Sequence, residues 1–271
     1  MIGYIIYGRL KSKRLPKKGL LKLDNKSLIK IFIERINTSK EIDKIVFATS
    51  DLIEDRPLKN LAEKEGLETY VGEPEDVLMR LYKTAKIFNF DYFLTTMVDG
   101  PFQLKEVIDE SVKKIVDEGC DMVYSYPYQP NGTDCYGLNT KAVQKIINIK
   151  KTENTEAWGK YFTETNLFKW DIINVFENNP QLKDFRLTID YPEDYIFCEN
   201  LYKDLQKKYG IKFNASNLIE LLKTSNYQTR LEEMKQLEKK WNKHFKKAIT
   251  DVDIDIKRIN DLALKEKEVI L

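Results

Sequence analysis

Histidine is almost missing from this chain: there is one, His244, in 271 residues. It sits in a charged stretch near the C-terminus, which leaves little basis for a histidine general base or a His-rich zinc site. Cysteine is sparse as well. Cys120, Cys135 and Cys198 are odd in number, far apart and without metal-ligand spacing, which fits a reducing compartment and leads us to expect a cytoplasmic protein. No apolar run approaches the ~20 residues of a membrane span. The N-terminal run is too short for a signal peptide and precedes its charges rather than following them. Charge of one sign is not in excess either. The 45 basic and 43 acidic side chains leave a net charge of +2, so no global field favours nucleic acid or membrane, and any basic site must be local. What remains is an ordinary globular composition, 42% hydrophobic and 32% charged, long enough for one large α/β domain or two small ones.

What is present first is an alternation of short apolar runs and amphipathic stretches. Residues 2–7, 44–49, 67–71, 91–97 and 121–126 read as buried strands, rich in β-branched and aromatic side chains. Between them lie helical patterns. Leu28, Ile29, Phe32, Ile33 and Ile36 share one face, Pro57 opens a helix that stops at Gly66, and Val77, Leu78, Leu81, Tyr82 and Ala85 follow the acidic start Pro74-Glu75-Asp76. A further helix runs from 104 to 118 and ends at Gly119. This order predicts an α/β fold with a doubly wound, mostly parallel sheet. The middle changes character: residues 127–137 read as a hairpin or long loop, 141–149 and 156–163 as short helices, and 168–170 and 186–189 as short strands. A helix follows from Pro192 to about Tyr209, and a short one over 218–222. We expect residues 1–224 to form the main domain, with a small hairpin/helical insertion, and 225–271 a charged helical extension. In it Leu231, Met234, Leu237 and Trp241 make a stripe that either packs on the body or docks a partner, a second copy included. Beyond Thr250 we expect a flexible or docking tail.

The segment that organises the chain follows the first strand. Gly8-Arg9-Leu10-Lys11-Ser12-Lys13-Arg14-Leu15-Pro16-Lys17-Lys18 crowds six cations into a loop at a strand's C-terminal end, where open α/β sheets bind ligands. A polyanion relieves their repulsion, and a nucleoside triphosphate fits, since guanidinium binds phosphate through paired donors and lysine as a point charge. The alternative is a solvated basic turn. Two distant carboxylates weigh against it. Asp99 follows the fourth strand in Val98-Asp99-Gly100-Pro101, and Asp190 follows Arg186-Leu187-Thr188-Ile189 in Asp190-Tyr191-Pro192-Glu193-Asp194. Separately, these read as a turn residue and a helix N-cap. Together with the loop, two hard-oxygen ligands at strand ends suit Mg2+, which takes one or two carboxylates plus substrate phosphates and water.

The pattern R-x-x-S-x-R-L-P-x-K after the first strand resembles the nucleotide-binding loop of CTP-dependent sugar-acid cytidylyltransferases of the acylneuraminate, deoxy-octulosonate and spore-coat-polysaccharide type. Arg9, Ser12, Arg14, Leu15, Pro16 and Lys18 match it. Gly8 stands where the family usually has Ala, Lys17 where it often has Gly, and Gly19 where an aliphatic residue is usual. The family's G-D-x-P is similar to Val98-Asp99-Gly100-Pro101, with Val98 in place of Gly. Its L-T-x-D-x-P-E-D matches residues 187–194 throughout. Thr95 stands where an Arg is often found. Gly72 to Arg80 resembles G-x-x-x-D-V-L-x-R, which implies Asp76 and Arg80 near the nucleotide, although an ion pair between these two at i,i+4 would explain them equally well. Pro130-Asn131-Gly132-Thr133-Asp134 resembles the family's P-x-G-x-D turn, facing the acceptor. The resemblance spans Met1 to about Lys223.

It implies a Rossmann-like nucleotidyltransferase fold and in-line nucleotidyl transfer. Gly8, Arg9, Ser12, Arg14, Lys18, Asp76 and Arg80 would surround CTP. Arg9, Arg14 and Lys18 would hold the triphosphate, and Mg2+ on Asp99 and Asp190 would polarise the α-phosphate toward a sugar-acid acceptor. Two other readings stay open. One is a UTP- or dTTP-dependent sugar-phosphate nucleotidyltransferase, which would usually open with a glycine-rich loop. The other is a catalytically degenerate nucleotide-binding scaffold that docks through its C-terminal helix.

Overall fold

A computed structural model describes residues 1–12, 14–125 and 127–268, with side chains throughout except 244–248 and 263–268. Lys13, Tyr126 and the His244 imidazole therefore lie outside the described residues.

The central strand is β1 (Ile2–Tyr7). Its apolar run is continuous because both of its faces are covered. Tyr4 and Ile6 join one core cluster, Ile5 and Tyr7 the other. The chain then forms a 3₁₀ turn at Lys18–Leu20 and a small hairpin, β2 (Lys22–Leu23) and β3 (Lys26–Ser27). Asp24 and Asn25 supply its left-handed turn, at φ 47° and 64°. There follow α1 (Leu28–Ile36), β4 (Lys44–Ser50), α2 (Arg56–Lys64), β5 (Glu68–Gly72), α3 (Val77–Ile87), β6 (Tyr92–Met97) and α4 (Lys105–Val116). Next come β7 (Met122–Tyr124), β8 (Tyr136–Asn139), α5 (Thr140–Ile149), α6 (Lys160–Thr163) and β9 (Trp170–Ile172). The chain ends in α7 (Pro192–Tyr209), α8 (Ala215–Leu222), α9 (Ser225–Gln228) and the long α10 (Leu231–Glu268).

The seven-stranded sheet has the order β5-β4-β1-β6-β8-β7-β9. It is mostly parallel, with β8 reversed against both β6 and β7. From β1 the chain moves outward to β4 and β5, then returns to β6 on the other side of β1. That reversal of direction opens a crevice at the C-terminal ends of β1 and β6, between the loops that carry the cations and Asp99. The mostly parallel α/β sheet expected from the alternation is present. No helix among the described residues is long and apolar enough to cross a membrane.

Several local expectations need correction. Of residues 127–137, those from 127 to 135 form a long loop and Tyr136 and Gly137 already belong to β8, a reversed strand that alternation alone did not reveal. The strand expected over 121–126 is ordered as Met122–Tyr124, that over 168–170 lies at Trp170–Ile172, and the helix over 156–163 shortens to Lys160–Thr163. Residues 186–189 do not join the ladder. They make a single bridge, Asn131 to Arg186, and run beside two loops: the Leu187 amide donates to the Asn131 carbonyl (2.6 Å) and the Ile189 amide to the Asp99 carbonyl (2.9 Å). The charged stripe of α10 packs on the body, with Met234 and Leu237 buried in one cluster. Beyond Thr250 the helix continues and docks, with Val252, Ile256 and Ile259 buried in the other cluster.

Three backbones meet at Gly100, Gly132 and Leu187. A Cβ on Gly132 would lie 2.2 Å from the Leu187 carbonyl oxygen, and Gly132 has φ +101°. Only glycine allows both the conformation and the approach. Gly119→Ala, at φ +68° in open space, is expected to cost only the left-handed penalty of about 1–2 kcal/mol. Gly132→Ala should cost clearly more, because the clash adds to the strain. Denaturant melts of the two variants check this; equal losses would show that the close approach has no energetic weight.

Candidate active site

The loop after β1 is held from beneath by polar contacts to its neighbours. The Gly8 amide donates to the Ala48 carbonyl (3.2 Å) and Thr49 Oγ1 donates to the Gly8 carbonyl (2.8 Å). Asp55, buried, accepts from the Leu10 amide (2.5 Å) and from the Ser50 hydroxyl. Ser12 Oγ accepts from the Leu15 amide (3.3 Å), and Lys17 takes a left-handed conformation at φ 57° that turns the chain toward Lys18. This framework turns Arg9, Arg14 and Lys18 inward, while Lys11 and Lys17 stay exposed.

Lys18 is 6% exposed, and its ammonium donates to Asp99 Oδ2 and to Asp190 Oδ1, the latter at 2.8 Å. Arg14 Nη2 donates to the same Asp190 oxygen (2.6 Å), and Arg186 Nη2 donates to Asp190 Oδ2 (3.0 Å). Asp99 and Asp190, 91 positions apart in sequence, thus converge on one cation. Burial disfavours the charge on Lys18, but Asp99 and Asp190 outweigh it and raise its pKa. Burial, with Asp190 adding to it, raises Asp99 despite Lys18. Asp190 is also buried, yet Lys18, Arg14 and Arg186 hold its carboxyl down at about 2. Two carboxylates of unlike proton affinity share one buried ammonium.

The cluster forms part of the floor of a cavity of about 1000 Å³. Gly8, Arg9, Ser12, Arg14, Lys18 and Arg80 are among the residues that line it, together with an aromatic group of Tyr124, Tyr136 and Trp158. Tyr136 and Trp158 have ring centroids 4.6 Å apart. Arg9 Nη1 donates to Glu75 Oε1 (2.9 Å) and to the Pro74 carbonyl, which fixes the loop against the start of α3. Arg80 donates to the Glu73 and Pro74 carbonyls. Asp76 does not line the cavity. It caps α3 through the Met79 amide (3.0 Å), accepts from Thr155 Oγ1 (2.8 Å) and pairs with Lys150, so the i,i+4 pair with Arg80 is not what forms. Asp134 does line the cavity; its carboxylate accepts from the Gly132 amide (2.6 Å), and burial raises its pKa. Thr95 is buried in the sheet, donating to the Ile5 carbonyl (2.8 Å).

Asp99 and Asp190 suit a divalent cation by the chemistry of their oxygens and by their convergence on one positive charge, where the Lys18 ammonium now sits. Among the described residues no group of three His, Cys, Asp or Glu is gathered to hold a metal unaided. Such an ion would complete its shell with substrate phosphate and water.

The sequence reading did not single out Arg186, the aromatic group, or Trp241, Thr250 and Asp251, which α10 brings to the cavity. A basic residue four positions before Asp190 was a usable signal for the first. The others had none, since a tryptophan in an amphipathic stripe looks like any packed side chain.

The family model described as cytidylyltransferase matches residues 4–268. The chain belongs to the cytidylyltransferase family. It is a nucleotidyltransferase enzyme, and the resemblance read from the basic loop and the two Asp motifs is borne out at that level. An uncharacterized protein of Methanocaldococcus jannaschii is 31% identical over 218 residues, 76% of this chain and 84% of its own length. The Bacillus subtilis spore coat polysaccharide biosynthesis protein SpsF is 29% identical over 232 residues, covering 82% of this chain and 93% of its own. Among solved structures, a cytidylyltransferase from Leptospira borgpetersenii superposes with TM-score 0.73 at 22% identity, over 82% of this chain and 93% of that one. A CMP:2-keto-3-deoxy-manno-octonic acid synthetase complexed with CTP gives 0.58 at 13%, over 75% of this chain and 98% of that one. These two show the shared fold.

The departures from the family pattern are linked in space. A Cβ on Gly8 would lie 2.6 Å from Val98 Cγ1, and one on Gly19 would lie 3.2 Å from the same methyl. Val98 fills the room that Ala and an aliphatic residue would otherwise take, so the three differences are one exchange of packing volume beneath the loop. Gly8→Ala alone should therefore destabilise the protein. Gly8→Ala with Val98→Gly should recover part of the loss, with a coupling of about 1–3 kcal/mol in a double-mutant melt. Additive losses would refute the exchange.

Proposed function

We propose that the enzyme transfers CMP from CTP to a sugar acid and releases pyrophosphate, in the synthesis of a surface polysaccharide or glycoconjugate. The observation that carries the reading is the convergence of Lys18, Asp99 and Asp190 at the crevice, with Arg9 and Arg14 lining the same cavity. The family match supports cytidylyl transfer. The SpsF relative and the CTP-bound sugar-acid synthetase neighbour support the class of acceptor. Buried free thiols at Cys120, Cys135 and Cys198 accord with a cytoplasmic enzyme. Ile254 and Leu262, exposed on the outer side of α10, would suit a homodimer.

Arg9, Arg14 and Lys18 bind the triphosphate, exchanging their carboxylate and carbonyl partners for phosphate oxygens. Asp99 and Asp190, freed from Lys18, would hold Mg2+, which would supply charge neutralisation at the α-phosphate. The aromatic group positions the acceptor. Its hydroxyl oxygen bonds to the α-phosphorus as the bond to the bridging oxygen breaks, the hydroxyl proton passes to solvent and pyrophosphate leaves. Positioning and a dry, preorganised field account for most of the acceleration in such a displacement.

Melting temperatures with CTP, UTP, dTTP, GTP and ATP, each with Mg2+ and with a chelator, test the nucleotide half. A CTP-selective, Mg2+-dependent rise is expected, since ligand binding to the native state stabilises it by mass action. Selectivity for UTP or dTTP would move the acceptor to a sugar phosphate, and no shift with any nucleotide would favour a degenerate scaffold. Asp99→Asn should lower pyrophosphate release by about 100- to 1000-fold or more while the fold persists. An active variant with unchanged Mg2+ dependence would overturn the assignment.

A further inference from the structure

The C-terminal helix crosses the mouth of the site and is fastened on both sides of it. Met234 and Leu237 are buried in the cluster on one face of the sheet, and Val252, Ile256 and Ile259 in the cluster on the other. Polar contacts reinforce the far anchor: Tyr161 Oη donates to Asp255 Oδ2 (2.8 Å), as does the Lys151 amide (2.8 Å), and Lys160 pairs with Asp253. The fifteen residue steps from Leu237 to Val252 span about 22 Å at ~1.5 Å per residue, and within this bridge Trp241, Thr250 and Asp251 line the cavity.

At the near anchor the helix reaches the ionic cluster itself. Arg186 is 1% exposed and shares its guanidinium among three carboxylates. Nη2 donates to Asp190 Oδ2 (3.0 Å), Nε to Asp194 Oδ1 (3.2 Å) and Nη1 to Glu238 on α10. Asp194 is also occupied by the Asp190 and Tyr191 amides, each at 3.0 Å. Asp190 alone is gripped by three cations, Lys18, Arg14 and Arg186. Glu238 adds a carboxylate that competes with Asp190 and Asp194 for the Arg186 guanidinium.

We propose that Glu238 and Arg186 are positioning residues that connect the C-terminal helix to Asp190 and set how readily this carboxylate accepts a metal-bound triphosphate. The proposal deepens the nucleotidyl-transfer reading and rests on it. Without Glu238 the guanidinium is shared by Asp190 and Asp194 alone, so it holds Asp190 more tightly and leaves that carboxylate less available to a metal ion. The helix thereby becomes part of the active site through this one side chain.

The test is a Mg2+ titration of the CTP-induced rise in melting temperature, on the full chain, for wild type, Glu238→Gln, Glu238→Asp and Asp253→Asn. Glu238→Gln should melt near wild type without ligand but need on the order of 10-fold more Mg2+ for half-maximal stabilisation, the low end of outer-partner effects at metal sites. Glu238→Asp should recover part of the affinity. Asp253→Asn removes an anchor of the same helix away from Asp190 and should leave the Mg2+ midpoint unchanged. An unchanged midpoint in Glu238→Gln, or an equal shift in Asp253→Asn, overturns the proposal. A wild type that CTP does not stabilise at any Mg2+ concentration sinks the transfer reading instead, and the relay with it.

Discussion

A buried lysine held between two buried aspartates is the constraint on which the site depends. Lys18, Asp99 and Asp190 come from three segments far apart in the chain. Each would be costly to bury alone, because removing a charge from water is repaid only by a well-placed opposite charge. The first loop, the turn after β6 and the segment before α7 must therefore close together or not at all. The same cost keeps the cluster poised. On the proposed reading, a triphosphate with a divalent cation would replace these internal pairs.

Backbone packing brings these segments within reach. Residues 186–190 run beside the loops at Gly100 and Gly132 without entering the sheet, so Asp190 is presented by a strap rather than a strand. Close approach at Gly132 and the volume exchange between Gly8, Gly19 and Val98 serve the same end from opposite sides. The differences from the family's usual residues thus preserve a shape while changing which side chain fills it.

The long C-terminal helix borders the cavity. It is anchored in the cores on both faces of the sheet and passes over the strand ends between them. Glu238 pairs with Arg186 beside Asp190, and Trp241, Thr250 and Asp251 line the cavity.

Much of this was legible in the sequence, for identifiable reasons. Strand–helix alternation, the cation-rich loop after the first strand and the two Asp motifs are local patterns, and each carries its own chemistry. From them the sequence by itself determined the mostly parallel α/β fold and the family, and it named the two carboxylates and the lysine that converge at the crevice. It did not reveal β8, whose four residues acquire their reversed direction only from β6 and β7 on either side. It misread residues 186–189 as a strand, because extended conformation is local but membership of a ladder is not. It grouped Asp76 with the ligand residues, although the fold turns that side chain to Thr155 and Lys150. The role of Arg186 beside Glu238, and of Trp241 and Asp251 in the cavity wall, was decided by tertiary structure alone. A side chain's partners across the chain depend on how helices cross and where backbones meet, and hydrophobic periodicity specifies the face of a helix without specifying what that face will touch.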